Sequence, residues 1–491
     1  MDRRGFLTTA IIGGLAGRIG RAADCGGDCK LPEINLGPID PSTAGRLERP
    51  ASRIERPLWS NLSGPDRARL LSTLRTAYKC MSQMPPEDPR SMAFQAWLHQ
   101  YFCCSHRHGG NRAFPGAGPD IHSTSDFLPW HRAFLFFHER IIQGVSGRRD
   151  FRLPVWDWES PRQGYQAPWP YDSMPLPSMP CKCSPRSETV PSVMEICLKE
   201  WLWSRSFDEF MGPQGPALPA AGAKPGCATV GPHSGIHLSL GGYMGQVPVA
   251  AIDPVFYAHH ANIDRYWEHW RCHYKGKPGF TEHWPASSEY YFYDGFRPRQ
   301  TPRLVRVTPF DLLDLDALGY SYQRPTVQIP ALRSIPARHV GKDANLLRFD
   351  RSSLKTLSPF LTALAAMGDA NGQTFAARVD IRIQDTQPGF YFVAVADTAG
   401  SSPVPISSFA AFVDCDAGAT RICSGTCPSP AILAKVRPLI EKSTPFQLMY
   451  AVAKGAPDEK LLQQGSLHAI VGNWVAAKPP VEFEFLVPGS D

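Results

Sequence analysis

Residues 122–139 read His-Ser-Thr-Ser-Asp-Phe-Leu-Pro-Trp-His-Arg-Ala-Phe-Leu-Phe-Phe-His-Glu. Pro129 suits the first turn of a helix, where a backbone N–H has no partner to lose. Phe134, Phe137 and Ile141 follow at helical spacing and Gly144 offers a stop, so the stretch predicts a helix. His131 stands at its start and His122 in the loop before it. Two other segments repeat the theme. Asp88-Pro89 is a cap-plus-proline signal ahead of Met92, Trp97 and Leu98, with His99 next in line. Asp253-Pro254 opens Val255-Phe256-Tyr257 and runs past His260 to Trp270. His233 and His237 are four apart, so they face one side of a helix. A further helical pattern runs from about Leu62 into the low 80s.

Six histidines on or beside predicted helices raise the question of a metal. Imidazole binds copper, zinc, iron and nickel, and three neutral imidazoles per ion leave positions open for a small molecule. Inward ligands on facing helices are one way to build a dinuclear site in a bundle core. Any one of these histidines, taken alone, reads as a core residue; the joint pattern is what points to a site. A dizinc hydrolase would want carboxylate ligands, and none accompany the pattern.

The rest of the chain sets bounds. Its 491 residues exceed one ordinary domain. With 51 basic and 45 acidic residues the formal charge is +6, too small for a nucleic-acid footprint. Residues 1–23 carry four arginines and one aspartate, so losing them leaves about +3 by the same count. That segment pairs Arg3-Arg4 with a short apolar run from Leu7 to Gly17 and a small-residue site at Ala22-Ala23. It resembles a twin-arginine signal peptide, too short to be an anchor, and predicts a periplasmic or secreted protein. No other segment is long and apolar enough to be a membrane anchor. Residues 24–60 are rich in Gly and Pro, and residues 160–190 and 211–232 read as loops.

After Tyr322 the texture changes. Alternating and β-branched runs at Phe375–Ile383, Phe390–Val395, Phe409–Val413, Leu448–Val452 and Val481–Val487 are separated by turns such as Asn371-Gly372 and Pro388-Gly389. The fold class expected is a mainly α four-helix-bundle domain over 24–325, a linker at 326–334 and a C-terminal β-sandwich over 335–491.

Two signatures carry a resemblance. The stretch 122–139, with His122, Phe127, Trp130, His131, Arg132 and Glu139, resembles the first copper signature of the tyrosinase and polyphenol oxidase family. Asp253-Pro254-Val-Phe-Tyr-Ala-His-His260-Ala-Asn262-Ile-Asp264-Arg265 resembles the second. Phe292-Tyr293-Asp294 and Tyr320-Ser321-Tyr322 resemble plant-type polyphenol oxidases. The likeness covers roughly residues 45–325 and, with the leader, suggests a bacterial long form.

The resemblance implies two copper ions as cofactor. His99, His122 and His131 would hold one, and His233, His237 and His260 the other. Cys103, four residues after His99, would form a thioether to His122, as in plant and mollusc members; Gln100 stands where plants carry another cysteine. His259 packs beside the site, and His138 reads as core. Val247, Ser234 and Leu238 fall at positions that shape the substrate pocket, with Val247 leaving an open mouth. Asn262 and Asp264 are candidates for orienting the imidazoles.

The activity implied is a tyrosinase, which hydroxylates monophenols and oxidises o-diphenols to o-quinones with O2. A catechol oxidase lacking the first step, or a haemocyanin-like O2 carrier, are the alternatives. Residues 210–232 lack the acid that many members use near the first of the second set of ligands. In long members a C-terminal domain covers the site and keeps the enzyme latent. The segment from 335 fits that role, with Phe409 and Phe446 as plugs no better than core residues; otherwise it serves oligomer contacts. Cys423 and Cys427 would pair with each other or handle Cu(I). The 13 cysteines become an even twelve once Cys103 is spent on the thioether.

Overall fold

The computed structural model describes residues 39–50, 52–103, 121–160, 166–177, 185–190, 206–214, 225–277, 280–297, 299–325, 332–367, 376–383, 389–398, 402–411, 420–426, 430–453 and 473–488, with residues 31, 34, 36, 115 and 183 besides. The leader, Cys181, Cys427 and the 161–165 and 215–224 loops lie outside them.

The helices are α1 (Gly64–Gln83), α2 (Met92–Cys103), α3 (Phe127–Ser146), α4 (Phe207–Met211), α5 (Ser234–Leu240), α6 (Val255–Tyr274), α7 (Arg351–Met367) and α8 (Pro430–Glu441). Helix α1 starts where Ser63 accepts a hydrogen bond from the Asp66 N–H, with Pro65 in the first turn. Helix α2 starts later than Asp88-Pro89 predicts. Asp88 is spent on Arg90, and Ser91 caps the helix by accepting from the Phe94 N–H at 2.9 Å. Helix α3 is buried from Phe127 to Gly144, so it is a core helix rather than an amphipathic one. It does not stop at Gly144. That glycine lets the helix touch a loop, since a Cβ there would lie 2.4 Å from the Gly295 carbonyl oxygen. The stop is Gly147, at φ 72°. In α6 the expected signal holds, with Asp253 accepting from the Val255 N–H at 3.0 Å.

Helix α3 packs against α1 and α6, and α2 against the tight turn Val247–Ile252. Short strands finish this domain: β1 (Ile54–Glu55) pairs in parallel with a strand at Tyr320–Ser321, and the hairpin β2–β3 (Tyr290–Asp294, Arg303–Val307) backs α3. Counting Tyr320–Ser321 as β4, ten strands follow among the described residues: β5 (Leu332–Pro336), β6 (Arg338–Val340), β7 (Asp343–Arg348), β8 (Ala376–Ile383), β9 (Gly389–Asp397), β10 (Val404–Ala411), β11 (Thr420–Thr426), β12 (Phe446–Val452), β13 (Val475–Ala476) and β14 (Lys478–Pro488).

They form two sheets around one core that includes Ile335, Phe349, Val393 and Phe485. One sheet runs β10-β9-β12-β7-β6 with β13 beside β12; the other runs β11-β8-β14-β5. The strand-rich domain is as expected, except that β5 begins inside the anticipated linker and that α7 and α8 pack together at its rim. Phe446 is a core residue, stacked on Phe349 and edge-on to Phe483, not a plug. Phe409 lies on β10, its side chain outside the described set.

Among the described residues no helix is long and apolar enough to cross a membrane. Cys183 is disulfide-bonded, whereas Cys80, Cys103, Cys227 and Cys272 are in no disulfide. Full pairing of twelve cysteines is therefore ruled out.

Candidate metal centre

Helix α2 delivers His99, a tight turn at Ile121–Ser123 delivers His122, and the first turns of α3 deliver His131. Potential ligand atoms of His99, Cys103 and His122 lie within 4.8 Å of one another, and so do those of His233, His237 and His260. His131 joins the two groups. Its ring centroid is 5.5 Å from that of His99, 5.2 Å from that of His122 and 4.3 Å from that of His260. All six imidazoles are buried.

Three of them are oriented by backbone carbonyls. His131 Nδ1 donates to the Phe127 carbonyl at 2.7 Å, His233 Nδ1 to the Thr229 carbonyl at 3.1 Å and His237 Nδ1 to the Met244 carbonyl at 2.7 Å. A carbonyl only accepts, so each Nδ1 carries the proton and each Nε2 presents a lone pair. The Nε2 atoms of His237 and His260 sit 3.2 Å apart. His131 Nε2 and His260 Nδ1 make no protein hydrogen bond. Burial pushes the histidines well below the usual range, His237 to about 3, so the rings are neutral. Neutral, converging, buried lone pairs are what a metal requires of imidazole and are costly to leave unsatisfied.

His233 does not sit in a regular helix with His237. It ends a widened turn, Thr229–His233, in which Gly231 leaves helical geometry (φ −77°, ψ −130°) before α5 begins. Such bulged turns recur at functional sites.

The other expected residues divide. Cys103 Sγ is 3.5 Å from His99 Nε2, inside the group that contains His122. Val247 is buried beside His99 and Leu238 is buried on α5. The Ser234 hydroxyl donates to the Thr229 carbonyl at 2.7 Å. His259 packs beside the site: its Nδ1 accepts from Trp158 Nε1 at 3.3 Å while its ring faces His233. His138 is core, bonded to Tyr78 and Gln95 and stacked on Tyr257.

Asn262 and Asp264 do not orient the imidazoles through their side chains. Asn262 bonds Glu159 and Arg265. Asp264 accepts from Arg132 Nε at 2.6 Å, Tyr322 at 2.6 Å and Tyr320 at 3.0 Å, and lies 3.8 Å from Arg56. Asn262, two residues after His260, faces the other side of α6 and meets Glu159, whereas Asp264, four residues after, shares the His260 face but lies one turn further along, where it meets Arg132. Sequence reasoning missed the orienting carbonyls, which carry no side-chain signal. It also missed Phe256, whose ring stands 4.9 Å from that of His99 and 4.1 Å from that of His260. Its place four residues before His260 was the available clue.

Residues 89–192 and 182–273 match the common central domain of tyrosinase, and residues 286–336 match the polyphenol oxidase middle domain. Polyphenol oxidase A1 of Vicia faba is 28% identical over 296 residues, 55% of this chain and 48% of that one. The (+)-larreatricin hydroxylase of Larrea tridentata is 29% identical over 343 residues, 63% of this chain and 54% of that one. The chain spans about half the length of the curated relatives it matches. The fold is that of a latent aurone synthase (TM-score 0.57, 20% identity, 91% and 92% of the two chains covered) and of a latent apple tyrosinase (0.55, 19%, 90% and 99%). Matched proteins of this type-3 class, haemocyanin included, place two copper ions as the cofactor, and the two histidine groups are able to hold them. Residues 89–273 and 286–336 thus carry, in order, the central and middle domains of the tyrosinase and polyphenol oxidase family, on a fold like that of its latent members.

Proposed function

We propose that this chain is a phenol-oxidising enzyme of the tyrosinase type, converting monophenols and o-diphenols to o-quinones with O2. The observation that carries the reading is the pair of buried imidazole groups joined by His131. His99, His122 and His131 hold one copper; His233, His237 and His260 hold the other. Bound copper supplies the two-electron redox chemistry with O2, and the protein supplies geometry and a dry site. The Phe127, Thr229 and Met244 carbonyls fix which nitrogen of each ring is offered. Phe256 lines the seam between the groups and excludes water. Cys103 forms a thioether to His122, bracing a ligand that only a tight turn carries. Val247 leaves room for a phenol to approach, and uncharged Leu238 gives no attraction to a carboxylate on it.

The C-terminal domain keeps the enzyme latent, and the leader directs export. Two solved relatives of matching fold are described as latent forms, which supports the first point. Catechol oxidation alone is the second reading. It is favoured by the lack of acid in 210–232, since a monophenol must lose its proton near the metal.

The test is oxygen uptake by copper-loaded protein, after brief trypsin treatment to relieve latency, with a simple monophenol and with its diphenol. Quinone from the monophenol after a lag supports the tyrosinase reading. Uptake with the diphenol alone overturns it in favour of catechol oxidation, and no uptake with either overturns both.

A further inference from the structure

The two sheets of the C-terminal domain end on the same flank. β10 is the outer strand of one sheet and β11 the outer strand of the other, and both pack against the Thr229–His233 turn. β10 and β9 also pack against α5, which carries His237. An outer strand carries unpaired backbone groups and needs cover, so this docking is directional. The domain boundary here lies against the second histidine group.

A salt bridge ties the C-terminal domain to α4, which packs against Gly226 just before the same turn. Arg378 on β8, almost buried, pairs with Glu209 on α4 of the helical domain and with Glu484 on β14 at 3.0 Å. Helix α4 is seated against Gly226 so closely that a Cβ there would lie 2.3 Å from the Phe210 carbonyl oxygen. The Gly226 carbonyl accepts from the Thr229 N–H at 3.0 Å. The Thr229 carbonyl in turn accepts from His233 Nδ1 and the Ser234 hydroxyl. A continuous series of packed and hydrogen-bonded groups thus runs from Arg378 to the proton-bearing nitrogen of His233.

We propose that Arg378 is a positioning residue: through Glu209, α4 and Gly226 it fixes the Thr229 carbonyl, and so the ring of His233. The inference rests on the reading of His233 as a copper-holding residue. It makes the C-terminal domain more than a cover, because docking tightens one metal group and not the other. Contiguity alone does not prove coupling, so the test must show a local response.

Hydrogen exchange of the full-length, metal-free protein is compared for the wild type, Arg378→Gln, Glu209→Gln and Arg378→Lys. Both Gln variants are expected to speed exchange about tenfold in peptides covering 226–240 while peptides covering 92–103 and 127–146 stay unchanged, and Lys restores protection. Copper-loaded Gln variants, dialysed against a chelator, are expected to lose one ion per chain well before the wild type does. Unchanged exchange at 226–240, or an equal rise in all three regions, overturns the proposal. Because the exchange is read without metal, a wild type that takes up no copper would sink the metal reading separately.

Discussion

The rings of His131 and His260 lie face to face, 7° from parallel with centroids 4.3 Å apart, although one sits on α3 and the other on α6. The contact joins the two histidine groups into one centre. Two charged imidazolium rings could not stack this way, and burial keeps both neutral. Disturbing either ring therefore disturbs both groups.

Replacing His260 by alanine is expected to lower the copper content from two ions per chain to one or fewer and to reduce oxidation of either phenol to background. Atomic absorption on the dialysed protein checks the first, oxygen uptake the second. Two ions retained would remove His260 from the ligand set.

The thioether predicts a peptide in which Cys103 and His122 are joined, lighter than the two separate peptides by two hydrogen atoms. Cys103→Ser abolishes the joined species in a digest of copper-exposed protein. The His122 ring then depends on its turn alone, so copper affinity falls by roughly 10- to 100-fold, the range seen when a ligand loses its support.

Val247→Phe is expected to lower kcat/KM for a monophenol by about tenfold or more while changing the diphenol value less, because a large ring placed beside His99 restricts the closer approach hydroxylation needs. Equal losses for both substrates would show that Val247 only packs.

If the C-terminal domain holds the enzyme latent, brief trypsin treatment raises diphenol oxidation severalfold, with a helical-domain fragment ending near Tyr322 accumulating on a gel. Activity that merely falls in step with cleavage would point to a structural module instead.

Asp264→Asn is expected to cost about 3–5 kcal/mol in denaturant unfolding, since it leaves the buried guanidinium of Arg132 with a weakened partner and removes one of the two carboxylates near Arg56, Glu139 being the other. Copper content of the surviving fold should be nearly unchanged. A large loss of copper at unchanged stability would restore Asp264 to an orienting role.

Much of the architecture could be read from residues alone because buried faces and caps leave marks. The α3 and α6 helices and the main strands announce themselves by spacing, and the six buried histidines by their joint pattern with the two signatures. The misses have physical reasons. Ser91 took the cap from Asp88 because Arg90 engages that carboxylate first. Gly144 looked like a stop and is a close approach. The two helices of the C-terminal domain had a signal, with Leu354, Leu357 and Leu361 at helical spacing and Pro430 opening a run through Val436 and Ile440, but Pro359 and Pro438 inside the two runs speak against a helix. Carbonyl orientation at Phe127, Thr229 and Met244 depends on local backbone path, and side-chain identity says nothing of it. Asp264 sits on the same face of α6 as His260, but one turn further along, where Arg132 on α3 takes its carboxylate.

The docking of β10 and β11 on the helical domain has a cost that appears only on separation. A C-terminal domain cut free carries away two outer strands with bare N–H and C=O rows on one flank, a template for pairing with further copies of itself. The released fragment is then expected to be the aggregation-prone product of cleavage, and the helical part the soluble one. A cell that activates this protein by cutting it would also need a means of clearing the piece removed.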